Sequence, residues 1–243
     1  MKKIFVILLL FAFTTGAFSQ IRKGIVYKIV PYDSAYGITM FEKLNFFLGG
    51  DSVRYDVKGY SASGWYEDYW ESGQVLHKGY YAEGHLSVYR NYYEHGQMER
   101  EFKSEFNKAT MNTWWPNGKP HAMIEYVRKN GQVNVVKETD YFENGQQEFT
   151  EEYDKDGVYI VRNFFFENGK PQSSLQLSDA KKGIYDSKEY FENGNVKEQG
   201  MLHYNKGLGD FQKEGQWQEY NADGKLIAER TYSKGEMTNE KTY

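Results

Sequence analysis

The chain has 243 residues, a formal net charge of −4 at pH 7, 18% aromatic residues and no cysteine. The mild excess of acidic side chains argues against nucleic acid and anionic lipid as partners, because both attract clustered lysine and arginine. Without cysteine the protein has no disulfides and no thiol nucleophile. Its stability must therefore come from aromatic packing and from backbone hydrogen bonds.

Residues 1–19 have the pattern of a secretory signal peptide. Lys2 and Lys3 are followed by an apolar run over residues 4–13, and residues 17–19 form a small-x-small cleavage signature. The run is shorter than the roughly 20 residues that span a bilayer. We expect cleavage to leave a secreted protein, periplasmic or extracellular, with no membrane span. Removing two lysines leaves 28 basic residues against 34 acidic ones, a charge of −6.

Residues 20–63 are predicted to form an N-terminal β-rich cap. Gly24–Val30 is rich in β-branched residues and is typical of a strand, and the alternation over Ser52–Val57 predicts another. Repeat arrays need atypical ends, because a regular terminal unit would leave an open edge. We interpret this segment as a cover for the first repeat. A separate small functional element is the alternative.

Residues 64–243 repeat one motif about seven times, an aromatic pair followed by Glu-Asn-Gly or its equivalent. Successive units are 22 to 30 residues apart, which is the signature of a repeat array. Asn-Gly favours tight hairpin turns because both residues tolerate positive φ. The turn glycines are Gly73, Gly96, Gly118, Gly145, Gly169, Gly194 and Gly224.

Each unit also contains a second, weaker turn, such as Glu83-Gly84 or Asn130-Gly131. Two turns per period leave room for two strands and for no helix. The sequence therefore predicts an all-β protein, an elongated single antiparallel sheet of stacked β-hairpins with an N-terminal cap.

Two aromatic columns precede each turn. The residue four positions before the glycine is aromatic in all seven units, and the residue three before is aromatic in six, with Asn221 in the last. Adjacent strand residues point to opposite faces, so we expect two ladders of stacked rings on opposite sides of the sheet. The second column is our candidate binding surface, because a long exposed aromatic strip marks an interaction site. Its members are Trp70, Tyr93, Trp115, Phe142, Phe166 and Phe191.

The sequence contains no arrangement that supports catalysis. Its five histidines lack the spacing of a zinc site, and neither a Gly-x-Ser-x-Gly elbow nor a phosphate-binding loop occurs. The glutamates that recur at the turns are better explained as a solvated row than as catalytic carboxylates, which must face each other across a substrate. We predict a protein that is not an enzyme, without catalytic residues, metal or cofactor.

The C-terminal unit over residues 215–226 resembles a MORN-type repeat. More narrowly, it is similar to the bacterial variant of the form Gly-x-Trp-x-x-Tyr-x-x-Asn-Gly-Lys-Leu, and Gly64-Trp65 leading to Gly73 has the same layout. The resemblance covers about residues 64–238. It implies a sheet of stacked hairpins that serves as a scaffold for protein contacts. Some members of the bacterial variant are labelled antitoxin components, and some eukaryotic members have been linked to membranes.

The favoured function is a secreted, non-enzymatic repeat scaffold. It would bind another protein, or a second copy of itself, through an aromatic sheet face or a strand edge. One alternative is a carbohydrate or cell-wall binding module that uses the tryptophan and tyrosine strip. The other is an antitoxin-like neutralising partner. In another interpretation, the strip is covered by the N-terminal segment or by the second copy.

Overall fold

The computed structural model describes residues 53–155 and 157–243 with their side chains, and three strand backbones nearer the N-terminus. Within these residues the chain forms strands and turns and no helix. The predicted signal peptide and much of the predicted cap lie outside the described residues, so the division of the chain into three parts stays a prediction. The predicted all-β class is confirmed.

Among the described residues, sixteen strands form one sheet, and β2 and β3 pair separately. In chain order the strands are β1 (Arg22–Tyr27), β2 (Tyr32–Asp33), β3 (Ile38–Thr39), β4 (Gly64–Trp70), β5 (Val75–Ala82), β6 (His85–Tyr92), β7 (Met98–Ser104), β8 (Lys108–Trp114), β9 (Pro120–Lys129), β10 (Gln132–Tyr141), β11 (Gln147–Tyr153), β12 (Tyr159–Phe165), β13 (Pro171–Asp179), β14 (Ile184–Tyr190), β15 (Val196–Asn205), β16 (Asp210–Tyr220), β17 (Leu226–Ser233) and β18 (Glu236–Thr242).

From β4 to β18 each strand pairs antiparallel with the next one in sequence, so this part of the sheet is a row of hairpins. At roughly 4.8 Å between neighbouring strands, the sheet measures on the order of 70 Å across. Its strands are much shorter than that, because most contain seven to ten residues at about 3.3 Å each. The predicted elongated sheet of hairpins is confirmed.

β1 differs from the expectation of a purely antiparallel sheet. It lies outside β4 and runs parallel to it, with Arg22 opposite Tyr66 and Tyr27 opposite Trp70. Parallel neighbours need a connection of a dozen or more residues, whereas an antiparallel pair can be joined by two. The chain between β1 and β4 is long enough to make that connection.

The turns lie along two opposite edges of the sheet. The turn edge carries the seven turn glycines from Gly73 to Gly224. Its loops are closed by two backbone hydrogen bonds, for example from Phe142 N to Gln146 O at 2.9 Å and from Gly145 N to Phe142 O at 2.8 Å. This is a three-residue loop in which a type I turn is followed by a left-handed glycine, and Gly145 has φ of 87°. Asn144 keeps a negative φ, so the expectation that both residues take positive φ is wrong on this edge.

The opposite edge, which we call the loop edge, contains the two-residue turns. Positive φ at both turn residues occurs at Glu83-Gly84, Asn130-Gly131 and Lys234-Gly235, with φ of 51° and 85°, 53° and 80°, and 52° and 86°. This is the type I′ geometry, whose twist matches that of the flanking strands. The tightest hairpins therefore lie on the edge where the sequence signal is weaker.

The buried core occupies one face of the sheet between β4 and β9. It is a cluster of apolar side chains, namely Ala62, Tyr66, Tyr81, Leu86, Tyr89, Phe102, Ala109 and Met111. Along β10 to β18, most side chains of the same face are only half-buried. The first six strands of the array therefore share a packed cluster, whereas in the remainder only isolated apolar side chains among the described residues, Tyr185, Trp217 and Ala228, are buried.

Residues 53–63 join this core from the loop edge. Arg54 N donates to Gly84 O at 3.0 Å, Gly84 N donates to Ala62 O at 2.7 Å, and Ala62 is fully buried. The strand predicted over Ser52–Val57 is wrong for its described part, where Tyr55 forms one isolated bridge to a later residue. Backbone contacts to the first type I′ turn, rather than strand pairing, fix this segment.

A buried polar network surrounds the Arg54 guanidinium. Its Nη1 and Nη2 donate to the two oxygens of Asp68 at 2.7 and 2.6 Å, and the two side chains are 6% and 0% exposed. Nη1 also donates to the Tyr81 hydroxyl at 3.1 Å. His77 completes the network, with Nε2 3.0 Å from that hydroxyl and Nδ1 2.8 Å from Asn91 Oδ1. Because an amide oxygen only accepts, Nδ1 carries the proton of the neutral ring.

Removing one charge of this buried pair should strongly destabilise the fold. Asp68→Asn leaves the Arg54 guanidinium without its counter-charge, and breaking a buried ion pair costs about 3–5 kcal/mol. The matched control is Glu189→Gln, which breaks an exposed pair with Lys197 at 3.2 Å and should cost less than about 1 kcal/mol. Urea unfolding of both variants measures the difference. Equal losses would contradict a structural function for the buried pair.

His77 should make the fold less stable in acid. Burial lowers its pKa to about 4, so between pH 6.5 and 4 the unfolded chain binds a proton that the folded chain does not. Stability therefore falls with decreasing pH, by about 1.4 kcal/mol per unit and about 3 kcal/mol in all. Denaturant unfolding across this range should show that dependence in the wild type, and His77→Asn should lack this contribution.

The wild type must be compared with His77→Asn because Asp140 changes the stability with pH in the opposite direction. Burial, together with Glu148 and Glu151, raises the pKa of Asp140 to about 6, so its contribution to stability is lost as pH rises through that value. Asp140 is present in both proteins and cancels in the difference. Identical pH profiles for wild type and His77→Asn would show that the ring is not held neutral by the fold.

Candidate interaction surface on the turn edge

The six candidate aromatic residues lie at the turn edge rather than along the middle of a sheet face. Trp70 is the last residue of β4, and each of the others follows directly after a strand and begins the turn. All six side chains are half-buried. Each side chain is therefore partly covered by the protein and partly open to solvent.

The polar members of this column are anchored to the next unit of the array. Trp70 Nε1 donates to Tyr92 O at 3.1 Å, Tyr93 OH donates to Trp114 O at 2.8 Å, and Trp115 Nε1 donates to Tyr141 O at 3.0 Å. In each case the acceptor is the last strand residue before the following turn. These side chains therefore stabilise the order of the units.

The expected ladders of stacked rings do not form. Within residues 53–155 and 157–243, no ring contact joins consecutive members of either aromatic column; ring pairs occur at other positions, such as Phe149 with Phe164 at 4.8 Å on adjacent strands. Consecutive turns are two strands, or about 10 Å, apart. Ring pairs need centroids within about 7 Å. The intervening strand therefore separates the members of each column.

A row of asparagine side chains connects the turns instead. The Asn144 side chain acts in both directions: its Oδ1 accepts from Gln146 N at 2.7 Å within its own turn, and its Nδ2 donates to Glu167 O of the next turn at 2.8 Å. The residues directly before three other turn glycines form the same two bonds, Asn117, Asn168 and Asn193. We call these four residues the asparagine row.

A histidine takes the same place in the second turn. His95 Nε2 donates to Pro116 O at 3.0 Å, and its ring is stacked on Tyr93 at a centroid distance of 5.5 Å. From the sequence, the histidines are considered only as potential zinc ligands, and this contact is not predicted. The signal that could have identified the role of His95 is its position in the repeat, directly before the turn glycine.

The residue after each turn glycine also reaches the following turn. Lys119 Nζ donates to Asn144 O at 2.6 Å, and Lys170 Nζ donates to Asn193 O at 2.8 Å. A Cβ placed at Gly145 would lie 3.0 Å from Lys119 Cδ. This glycine is therefore needed for its positive φ and also for the close approach of the preceding unit.

The seventh turn lacks the groups that make these connections. Asn221 replaces the aromatic residue and Asp223 replaces the asparagine, and the Asn221 Oδ1 caps its own turn by accepting from Asp223 N at 3.1 Å and Lys225 N at 2.9 Å. No further turn of this edge follows it among the described residues. The aromatic column thus lapses at Asn221, in a turn that has no following turn to contact among the described residues.

Exposed carboxylates flank the aromatic residues on this edge. A glutamate directly follows the aromatic residue in five of the seven turns, and all five are exposed: Glu71, Glu94, Glu143, Glu167 and Glu192. None of them forms an ion pair within the described part of the chain. Counting the residues from the one after the aromatic position to the one after the glycine, the seven turns contain six acidic residues and three lysines, so the edge carries a net negative charge.

Sequence reasoning missed a group of exposed apolar residues on the loop edge. Val57 is 104% exposed and Phe106 is 97% exposed, and Tyr55, Tyr60 and Leu208 are also exposed. No periodic pattern marks them, since they lie in turns that differ from one unit to the next. They contribute nothing to the core and leave the two edges chemically distinct.

The described residues contain no group of three or more potential ligands arranged to hold a metal ion. Two carboxyl groups with raised pKa values, Asp140 and Glu138, lie on the same face as the core. Burial is the main cause of the raised pKa of both, and Glu151 adds to it. No helix among the described residues is long and apolar enough to cross a membrane.

Two segments of the chain match a known family. Residues 186–204 and 213–234 match the family described as MORN repeat variant. The first segment covers most of the β14–β15 hairpin, and the second covers the β16–β17 hairpin with its turn at Gly224. No curated protein matches the chain.

Similarity to solved structures is distant. The chain is similar to a mutant of Staphylococcus aureus TarM in complex with fondaparinux, α-GlcNAc-glycerol and UDP, with 10% identity over 37% of this chain and 18% of that chain and a TM-score of 0.26. It is also similar to a Bacteroides fragilis protein with unknown function, with 12% identity over 56% of this chain and 91% of that chain and a TM-score of 0.18. The chain spans less than a fifth of the length of the first of these proteins.

The fold and the turn edge define a repeat protein, an open sheet of β-hairpins in which each turn contacts the next. Its two matched segments are MORN repeats of the variant type, and the predicted relationship to the MORN-repeat family is confirmed. The family consists of repeat scaffolds that are generally not enzymes.

The bond between neighbouring turns should be measurable at a single residue. Asn144→Asp keeps the oxygen that caps its own turn but replaces the donor to Glu167 O with a second acceptor, which should cost about 1–2 kcal/mol of stability. The reverse change, Asp223→Asn, lies in the turn that has no following turn, and it should change stability by less than about 0.5 kcal/mol. Urea unfolding compares the two, and equal effects would argue against the connection between turns.

Proposed function

We propose that this protein is a secreted, non-enzymatic repeat scaffold that binds another protein along its turn edge. The observation that carries the proposal is the repeated pair of a half-buried aromatic ring and an exposed, unpaired glutamate at five turns. Secretion rests on the signal-peptide pattern of residues 1–19. An antitoxin-like neutralising partner is one form of the same proposal.

The chemistry of the edge favours a basic partner segment. Carboxylates pair with guanidinium groups, and the same guanidinium groups stack on aromatic faces. Phe142 with Glu143, and Phe166 with Glu167, offer both features at neighbouring positions. An extended protein segment rich in arginine is therefore the complementary ligand.

The spacing of the pairs adds a geometric condition. Neighbouring turns are about 10 Å apart along the edge. A polyproline II segment has three residues per turn and a rise of about 3.1 Å per residue, so every third side chain lies on one side at intervals of about 9 Å. A segment with arginine at every third position thus places one cation at each successive glutamate.

The strand edge of β18 is a less suitable surface. All seven residues of β18 are exposed, but the strand contains a bulge at Thr238, whose Oγ1 donates to Thr231 O at 3.1 Å. Charged residues on β18, among them Glu236 and Lys241, also disfavour pairing with another strand. Bulges and charges are the features by which natural sheets prevent edge pairing.

A carbohydrate-binding function finds less support in the same edge. The indole N–H groups of Trp70 and Trp115 already donate to backbone carbonyls. Three of the other four members are phenylalanines, which have no polar group to orient a sugar hydroxyl.

The test is binding of a fluorescent peptide with arginine at every third position, measured by anisotropy at low and moderate salt. A triple variant removes neighbouring carboxylates of the turn edge: Glu143→Gln, Glu167→Gln and Glu192→Gln. Exposed ion pairs contribute about 0.2–1 kcal/mol each, so affinity should fall roughly tenfold. Binding should also weaken as salt increases.

The matched control removes the same number of exposed acidic charges away from this edge, with Glu105→Gln, Asp186→Asn and Glu236→Gln. It should change affinity less than about twofold, because screening limits the effect of distant charges. Equal losses in both triple variants would show that only net charge matters and would refute the turn-edge site. Retention on glycan matrices that is lost in Trp70→Ala and kept in the turn-edge triple variant would favour the carbohydrate alternative.

A further inference from the structure

The chain contains five Asn-Gly pairs, and the fold places them in two different environments. Four are the members of the asparagine row on the turn edge. The fifth is Asn130-Gly131, at the tip of the β9–β10 hairpin on the loop edge. One molecule therefore contains the same dipeptide both with hydrogen bonds to a neighbouring turn and without them.

Asn-Gly is the dipeptide most prone to spontaneous deamidation in water, because glycine leaves its own amide nitrogen accessible. In this reaction the glycine amide nitrogen attacks the asparagine Cγ and forms a cyclic imide, while Nδ2 leaves as ammonia. Water then opens the imide to aspartate or isoaspartate. The reaction requires that the nucleophile and the side-chain amide both be free to move into position.

The turn edge holds each of these groups. In the third of its Asn-Gly turns, Gly169 N donates to Phe166 O at 2.8 Å, so the nucleophile is engaged. The electrophile is engaged as well, since Asn168 Oδ1 accepts from Lys170 N at 2.9 Å and Nδ2 donates to Glu192 O at 3.2 Å. The other three members of the row form equivalent bonds. Reaction there requires local opening of the turn.

Asn130 has none of these restraints. It is exposed and has φ of 53°, and its side chain forms no hydrogen bond to the described residues. Gly131 N has no backbone partner in the described part of the chain, as expected for the second residue of a type I′ turn. A Cβ placed at Gly131 would meet nothing within 4 Å, whereas one placed at Gly145 would meet Lys119 at 3.0 Å.

The charges around this turn favour the reaction further. A shallow cavity beside Asn130 is lined by three basic residues, Arg128, Lys129 and Lys155, and by one acidic residue, Asp154, and Lys129 Nζ donates to Lys155 O at 2.8 Å. The attacking amide nitrogen must lose its proton and carry negative charge. Nearby cations stabilise that charge, as they stabilise any ionised group.

We infer that Asn130 is a site of spontaneous deamidation in the folded protein, and that the asparagine row is protected by its bonds between turns. The reaction introduces a carboxylate among Arg128, Lys129 and Lys155. Isoaspartate also adds one carbon to the backbone, which the two-residue turn cannot accommodate without losing the register between β9 and β10. The loop edge therefore changes with age while the turn edge does not.

The test is peptide mapping by mass spectrometry of the full-length protein after incubation at mildly alkaline pH. Asn130 should deamidate at least about tenfold faster than any member of the row, which corresponds to about 1.4 kcal/mol of local opening. The variant Asn130→Gly keeps the turn, because glycine accepts positive φ, and should remove the fast phase.

The same incubation in concentrated denaturant provides the control. There the folded-state bonds are absent, and all five asparagines should react at similar rates. Equal rates for the five asparagines in the native protein, or faster reaction in the row than at Asn130, would overturn the proposal. The proposal would also be overturned if Asn130 stayed unmodified in the native protein but reacted in the unfolded protein.

Discussion

The hydrogen bonds between successive turns are the constraint on which the rest of the array depends. A single-layer sheet whose contiguous buried cluster lies between β4 and β9 cannot rely on a second layer to hold the remaining hairpins in register. The turn edge provides that restraint, because a side chain of one turn donates to a backbone carbonyl of the next, as from Asn144 to Glu167 O and from His95 to Pro116 O. The turn glycine leaves space for the residue that arrives from the preceding unit.

The core face is stabilised by a second recurring device, a cation that lies over aromatic rings and pairs with an acid. The guanidinium carbon of Arg54 lies 4.9 Å from the Tyr66 ring while its nitrogens bind Asp68. The same arrangement recurs in other strands: Arg162 with Glu151 over Phe149, Tyr159 and Phe164, and Lys213 with Glu198 over Trp217 and Tyr232. The aliphatic parts of these long side chains cover apolar surface, and their charged ends stay paired. A one-layer sheet can thus be rich in both aromatic and charged residues.

The sequence predicts whatever depends on neighbouring residues, and it fails where units at a distance must be compared. The hairpins and the positions of the turn glycines follow from the Asn-Gly repeat, since turn chemistry is local. The expected ring ladders do not form. An alignment column says nothing about the distance in space between its members, and in the structure an intervening strand separates them. The function of His95, the ion pair between Arg54 and Asp68 and the parallel pairing of β1 all depend on contacts between segments that no local pattern relates.

Within the short turn motif, the residues that connect adjacent units differ from the residue whose side chain faces solvent. The asparagine and glycine positions are fixed by contacts with adjacent units, so they set the spacing of the edge and leave little freedom to vary. The glutamate directly before the asparagine accepts, through its backbone carbonyl, the bond from the preceding turn, but its side chain remains in solvent, as at Glu143 and Glu192. Its carboxylate can therefore change without affecting the order of the units. A scaffold in which structural atoms fix the spacing and an independent side chain faces outward is suited to recognise a partner that has its own regular spacing.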